Sequence, residues 1–165
     1  MKLDIRHRFD CSPDRFWEMY WDDELDAMLN EGSSVDREVV EEHEEGEVLV
    51  RRLRFTPHQE LPSAAASLLG ATKLVYEQEN RYDRGSKVLH WRVEPTILPG
   101  KLDASGTVEV VAVGDGQCEQ RVMGEIKVNV MMIGGRIEKA VVAEVEKSWT
   151  RTAEVCRAWL AKHGA

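Results

Sequence analysis

The chain has 165 residues, of which 42% are hydrophobic and 32% charged, proportions typical of a water-soluble globular domain rather than a disordered or membrane-spanning chain. Its formal net charge of −8 argues against a broad surface for nucleic acid or anionic membranes, because such surfaces need concentrated positive charge. The first ten residues lack an apolar core and the three cysteines are far apart, so no signal peptide, disulfide framework or zinc site is predicted. We therefore expect a cytoplasmic protein with a single domain over residues 1–165, no metal or cofactor, no nucleic-acid partner and no integral membrane association.

The start of the chain predicts one strand followed by two short helices. Residues Lys2–Phe9 alternate charged and apolar side chains, which is the period of a half-buried strand. Ser12 can then cap a helix whose first position suits Pro13. A second short helix is expected from Asp22 or Asp23 until the chain reaches Gly32.

The middle of the chain predicts three hairpins, with a short helix or lid-like loop at Ser63–Leu69 between the first and the second. The acidic arm of the first hairpin is expected at an edge of the sheet, where Arg51, Arg52 and Arg54 of the other arm can pair with it. The paired arms are Val35–Glu44 with Glu47–Phe55, Thr72–Tyr82 with Lys87–Glu94, and Leu102–Val113 with Cys118–Val130.

The last third of the chain carries the only long helical period. Apolar and small side chains recur at spacings of three and four from Ile137 to Leu160. A helix over Gly135–Lys162 would be roughly 40 Å long at ~1.5 Å per residue. No other predicted helix is long enough to cover its apolar stripe, so the strands must do so. The sequence thus predicts an α+β fold with a curved antiparallel sheet of about seven strands wrapped around the C-terminal helix.

This order of elements resembles the START-like superfamily, also called SRPBCC or helix-grip, which includes polyketide cyclases and lipid-binding proteins. The chain is similar in particular to a bacterial branch of unknown function. The resemblance is carried by Ser12–Trp17 after the first strand, by the turn Gly114–Gly116, and by Val128–Glu138 at the start of the last helix. It implies a cavity between the concave face of the sheet and the last helix, in which members bind hydrophobic small molecules and a minority catalyse cyclisation or hydrolysis.

Strand alternation then selects the side chains that would line such a cavity. If the apolar residues of each strand point inward, polar residues of the same face point inward with them and could orient a ligand. The same amides could instead lie in water at the end of the sheet, or be satisfied inside a filled core. The predicted ligand-binding residues are His7, Tyr76, Gln78, Asn80, Leu89, Trp91, Val93, Val108, Ile126 and Val128 on the strands, and Ile137, Val141, Val145 and Trp149 on the helix. Ser63–Gly70 and Pro95–Gly100 are candidate gates.

Three functions are compatible with these features, and the leading hypothesis is binding or transport of a lipid-like or polyketide-like molecule. A cyclase or hydrolase would need ionisable groups that converge in the cavity, for which His7, the helix-edge Glu138 and Glu144, or Glu77 and Glu79 with inverted strand phase are available. An interaction module would use the acidic hairpin 35–55. No nucleophile motif is present, so no catalytic residue is assigned. The ligand and the oligomeric state stay open.

Overall fold

The computed structural model describes residues 1–96 and 100–165, with the side chains of Ala65, Leu68 and Leu69 left aside. Part of the predicted gate Pro95–Gly100 therefore lies outside the described residues. The elements in chain order are β1 (Lys2–Phe9), α1 (Pro13–Tyr20), α2 (Asp23–Asn30), β2 (Val35–Glu45), β3 (Val48–Pro57), α3 (Ser63–Leu69), β4 (Tyr76–Asp83), β5 (Val88–Pro95), β6 (Leu102–Gly114), β7 (Gln117–Val128) and α4 (Gly134–His163).

The seven strands form one antiparallel sheet in the order β1-β7-β6-β5-β4-β3-β2. Strands that follow one another from β2 to β7 are neighbours, and β1 pairs with β7 from Lys2 opposite Glu125 to Phe9 opposite Cys118. The acidic strand β2 is thus an edge, as predicted. The predicted fold, with seven strands, two short helices after the first strand and a long terminal helix, is confirmed.

Two glycines in the middle of the sheet make room for the indole ring of Trp91. Gly106 of β6 lies opposite Gly124 of β7, and Trp91 of β5 lies opposite Gly106. A Cβ atom on Gly106 would lie 1.9 Å from the carbonyl oxygen of Met123 and 2.7 Å from Cζ2 of Trp91. A Cβ atom on Gly124 would lie 2.6 Å from the same Cζ2 atom. The two glycines therefore allow both the close approach of the strands and the position of Trp91 on the concave face.

Helix α1 closes one end of that face. The N–H of Arg15 donates to Oγ of Ser12 at 3.1 Å, so the predicted cap is present. Trp17 in α1 is buried, and its ring centroid lies 4.6 Å from that of Tyr82 in β4. The ring of Trp21, just after α1, lies 5.3 Å from that of Tyr82. The aromatic side chains of this first helical segment thus cover the end of the sheet where β4 ends.

Helix α4 is covered unequally along its length. It packs against β1 and β7 and against α1 and α2. Ala153, Cys156, Trp159 and Leu160 in its second half are buried. In its first half the same stripe is only half-buried, at Ile137, Val141, Val145 and Trp149. No helix among the described residues is long and apolar enough to cross a membrane.

Several strand boundaries differ from the prediction by one or two residues, and the start of β4 differs by four. β4 begins at Tyr76 rather than Thr72, because the carbonyl oxygen of Thr72 accepts the N–H of Leu61 instead of pairing with β3, which ends at Pro57. β7 ends at Val128 rather than Val130, because the chain must turn there to enter α4. The sequence pattern showed neither constraint, since both depend on contacts that leave the strand.

Arg51 pairs with the acidic arm of its hairpin as predicted, but its burial was not predicted: it lies on the concave face, with 4% of its surface exposed. The register places it beside Asn80, between Leu49 and Leu53 on its own strand. Its Nε atom donates to Glu42 at 2.7 Å and its Nη1 atom to Asp26 of α2 at 3.3 Å. Its guanidinium also lies 5.0 Å from the ring centroid of Trp21. This buried cation therefore ties α2 to the sheet.

Candidate functional site

The registers of the strand pairs arrange the concave face in layers that run across the sheet. The first layer lies at the end covered by α1 and the last at the end where α4 begins. In that order the layers are Phe9, Ala112 and Cys118; then His7, Val110 and Gln120; then Ile5, Leu49, Tyr82, Leu89, Val108 and Val122; then Leu3, Arg51, Asn80, Trp91, Gly106 and Gly124; then Leu53, Gln78, Val93, Ala104 and Ile126; and last Phe55, Tyr76, Pro95, Leu102 and Val128.

The predicted ligand-binding residues divide into two groups by burial. The first group is buried in the floor of the concave face and consists of Asn80, Leu89, Trp91, Val108, Ile126 and Val128. The second group is half-buried and consists of His7, Tyr76, Gln78, Val93, Ile137, Val141, Val145 and Trp149. With the exception of His7, the second group lies in the last two layers and in the first half of α4. We call these seven residues the half-covered wall.

The polar groups of this wall are neutral. Nε2 of Gln78 donates to Oδ1 of Asn80 at 2.7 Å, so the carbonyl oxygen of Asn80 is already engaged. The ring of Tyr76 stacks on Phe55 with the ring centroids 4.8 Å apart. Desolvation raises the pKa of Tyr76 to about 12, so its phenol stays protonated at neutral pH. Tyr76 can therefore donate a hydrogen bond to an oxygen acceptor in an otherwise apolar setting.

His7 is not brought together with this wall. It lies opposite Gln120, one layer from the end of the face that α1 covers, whereas Tyr76 lies four layers away from it. Four layers are eight residues along a strand, or roughly 26 Å at ~3.3 Å per residue. Nδ1 of His7 is buried and makes no hydrogen bond to any described residue. One small molecule bound at Tyr76 would therefore not reach His7.

The position of His7 predicts a pH dependence of stability. Desolvation lowers the pKa of His7 below the ordinary value of 6.5, and the nearby positive charge of Arg157 lowers it further by a smaller amount. Protonation then favours the unfolded state, so stability is full above pH 6.5 and falls as the pH drops below it toward the folded pKa. We expect His7→Phe to reduce this acid sensitivity. Urea unfolding of both proteins at a series of pH values measures it, and equal slopes would contradict the assignment.

The four carboxylates considered for catalysis are engaged elsewhere. Glu77 accepts from Arg54 at 3.2 Å and Glu79 from Arg52 at 3.3 Å, and both alternate with the concave residues of β4. Glu144 is exposed and pairs with Lys147 at 3.4 Å. The inverted strand phase that would have turned Glu77 and Glu79 inward is therefore wrong.

Glu138 has a structural role at the start of α4. Its carboxylate accepts the backbone N–H of Val128 at 2.9 Å and lies 3.3 Å from the Met1 ammonium group. The Val128 hydrogen bond is the main cause of its lowered pKa. Glu138 therefore joins α4 to the end of β7.

Side chains that the sequence did not single out complete the half-covered end. Leu53 and Phe55 share the concave face of β3, and Leu102 lies opposite Val128. The alternation of Leu49, Leu53 and Phe55 could have indicated this face, but Arg51 interrupts it. An open depression of about 780 Å³ lies beside α3, between Ala66 and Thr96, at the same end of the sheet. It borders the predicted gate Ser63–Gly70.

A second depression, of about 650 Å³, lies on the outer face of the sheet, around His90, Ser105 and Thr107. It does not include the half-covered wall. His90 is exposed there, because it alternates with the concave residues Leu89 and Trp91 of β5. Side chains of both charge signs line this second depression, as on an ordinary solvated sheet surface; they are Glu79, Arg81, Arg92 and Asp103.

Solved structures of several bacterial proteins share this fold. TTHA0849 from Thermus thermophilus aligns with a TM-score of 0.66 and 16% identity over 100% of both chains. The Zhui aromatase/cyclase from Streptomyces sp. R1128 gives 0.68 and 11% over 100% of this chain and 96% of that one. A START superfamily protein from Mycobacterium smegmatis gives 0.62 and 12% over 96% and 98%. At these identities the likeness shows the fold alone.

No curated protein matches the chain. Residues 4–160 match a family described as a protein of unknown function, DUF2505. The match begins within β1 and continues into the last turn of α4. The protein therefore has the START-like fold and belongs to the DUF2505 family.

Proposed function

We propose that the protein binds a hydrophobic small molecule against the half-covered wall. The observation that carries this proposal is the contrast along α4. One apolar stripe is buried at Ala153–Leu160 but only half-buried from Ile137 to Trp149, where it begins beside the last two layers of the sheet. Exposed apolar surface costs about 25 cal/mol per Å² relative to burial, so a ligand that covered this stripe would be bound by the hydrophobic effect.

The wall also suggests the chemistry of the ligand. Its protein groups are apolar apart from the amide of Gln78 and the protonated phenol of Tyr76. A lipid-like or polyketide-like molecule with an oxygen acceptor fits this combination, because apolar contacts give affinity and a few polar groups fix orientation. The aromatase/cyclase and the START protein with the same fold are compatible with such a ligand.

The proposal predicts that a bulky side chain in the stripe will block binding. The neutral probe N-phenyl-1-naphthylamine, which fluoresces in apolar surroundings, should bind the wild type saturably. Val145→Trp is expected to raise the dissociation constant of the probe at least about tenfold, which is ~1.4 kcal/mol. Ala143→Trp adds the same side chain at an exposed position of α4 and should leave the constant nearly unchanged.

The absence of saturable probe binding by the folded wild type would contradict the proposal. Equal weakening by Val145→Trp and Ala143→Trp would also contradict it, because binding would then not depend on the stripe. Circular dichroism of each variant confirms that α4 is intact.

The two other hypotheses have less support. Of the predicted ligand-binding residues on the half-covered wall, Tyr76 alone is ionisable, whereas a cyclase or hydrolase needs converging ionisable groups. The acidic strand β2 is paired within the sheet, as Glu42 accepts from Arg51 at 2.7 Å and Glu44 from Arg84 at 2.8 Å. This pairing favours a structural role for the acidic hairpin over a docking role.

A further inference from the structure

The turn between β7 and α4 carries the two most exposed large hydrophobic side chains among the described residues, Met131 and Met132, followed by the partly exposed Ile133. Met131 is 90% exposed, Met132 99% and Ile133 37%. Met132 also has a φ of +69°, a left-handed conformation that costs a non-glycine residue roughly 1–2 kcal/mol. We call residues 131–133 the methionine turn. Adjacent apolar side chains held this far from the core indicate a surface that something else covers.

Positive charge surrounds this turn. Arg136 and Lys139 follow it, and Lys127, which pairs with Glu125 at 3.3 Å, precedes it. Lys101 lies beside it, because its carbonyl oxygen accepts the N–H of Asn129 at 2.7 Å. Between residues 127 and 139 the only acid is Glu138, which is engaged by the Val128 N–H and the Met1 ammonium group.

The start of α4 adds to this positive potential. The first turn of this 30-residue helix contains no acidic residue, and Ile133 provides no side-chain cap. The N-terminal end of a helix carries about half a positive charge, which favours an anion nearby. The acidic strand β2 lies at the opposite edge of the sheet from β1 and β7. Residues 127–139 therefore carry a positive formal charge, opposite in sign to the net charge of −8 of the whole chain.

We propose that the methionine turn docks on the surface of an anionic phospholipid bilayer, with its apolar side chains among the acyl chains and the surrounding cations on the phosphates. This inference rests on the proposed function, because it assigns the source of the hydrophobic ligand. The turn lies at the end of the sheet where the half-covered wall begins, and Ile137 follows Ile133 by one helical turn. A ligand could thus pass between bilayer and wall with little exposure to water.

Flotation with lipid vesicles tests the docking. The wild type should float with vesicles of phosphatidylcholine mixed with phosphatidylglycerol, float less with phosphatidylcholine alone, and be released by salt. Met132→Asp should reduce the partition coefficient at least about tenfold, and aspartate tolerates the left-handed backbone of this position. Arg136→Glu should reduce it by about fivefold or more, given ~1 kcal/mol for each cation at such a surface.

Met123→Asp is the matched control. Met123 is also exposed, at 39%, but it lies on β7 away from the turn, so its replacement should leave flotation unchanged. The docking is overturned if the wild type floats with neither vesicle composition. It is also overturned if Met132→Asp and Met123→Asp lower the partition coefficient equally. It is equally overturned if Met132→Asp converts a dimer to a monomer in sedimentation while vesicle binding persists, because the turn would then join two copies of the chain.

Binding of N-phenyl-1-naphthylamine in the absence of vesicles separates this proposal from the previous one. Met132→Asp should bind the probe as the wild type does, since residue 132 lies outside the half-covered wall. A wild type that binds the probe but no vesicle overturns the docking alone. A wild type that binds vesicles but no probe overturns the proposed ligand site. The methionine turn would then be a membrane contact of a protein that carries no hydrophobic ligand.

Discussion

Gly106→Ala is expected to lower the free energy of unfolding by about 3 kcal/mol or more, and can prevent folding altogether. The new Cβ atom would lie 1.9 Å from the carbonyl oxygen of Met123 and 2.7 Å from Cα of Gly124. Because both are backbone atoms, relief requires β6 and β7 to separate, which breaks ladder hydrogen bonds in the middle of the sheet. Urea unfolding monitored by circular dichroism measures the loss.

Gly135→Ala provides the matched control. A Cβ atom at Gly135 would have no neighbour within 4 Å, and the residue lies in α4. Alanine there should leave stability unchanged or raise it by up to about 1 kcal/mol. Adding Trp91→Ala to Gly106→Ala should not restore stability, because the carbonyl oxygen of Met123 remains in place. A Gly106→Ala protein as stable as the wild type would show that the two strands do not approach in this way.

Asp26→Asn is expected to cost about 3–5 kcal/mol, since it replaces the carboxylate shared by two buried or nearly buried guanidinium groups with a neutral amide that has one acceptor oxygen instead of two. Asp26 pairs with Arg37 of β2 and lies 3.3 Å from Nη1 of Arg51. Arg51 would keep Glu42 as a partner, but that carboxylate is about half exposed and does not reach α2. The loss should appear in chemical unfolding and as weakened attachment of α2 in hydrogen exchange.

Asp23→Asn tests whether this effect belongs to the buried pair. Asp23 is exposed in the first turn of the same helix, so its replacement should cost less than about 1 kcal/mol. Combining Asp26→Leu with Arg37→Met and Arg51→Met should recover much of the loss, because apolar side chains often replace a buried charge cluster without penalty. A single Asp26→Asn protein with wild-type stability would mean that the three charged groups are solvated.

Much of the fold is predictable from the sequence because it depends on local periods. The alternation in Lys2–Phe9 and the spacing from Ile137 to Leu160 gave the first strand and the last helix within one or two residues. The phase of β4 was also correct, with Glu77 and Glu79 outside. The burial of Arg51 was missed because its cause is distant in sequence, namely the position of α2 and the carboxylate of Asp26.

The candidate site depends more strongly on distant contacts. Alternation places both His7 and Tyr76 on the concave face, but only the registers of the strand pairs show that four layers separate them. The burial of Leu89 and Val108, while Val93 stays half-buried, also follows from tertiary packing. The last strand was predicted to run to Val130, directly before the methionine turn, and the exposure of that turn follows from the change of chain direction between the end of β7 at Val128 and the start of α4 at Gly134.

Mapping of methyl groups by NMR tests the proposed ligand position most directly. Protein labelled at isoleucine and valine methyl groups is titrated with N-phenyl-1-naphthylamine, and the shifts are followed to saturation. The predicted result is saturable shifts at Val93, Ile137, Val141 and Val145, with Val108 and Val122 beneath α1 nearly unchanged. Shifts confined to Val108 and Val122, or no saturable shifts at all, would contradict binding between the sheet and the first half of α4.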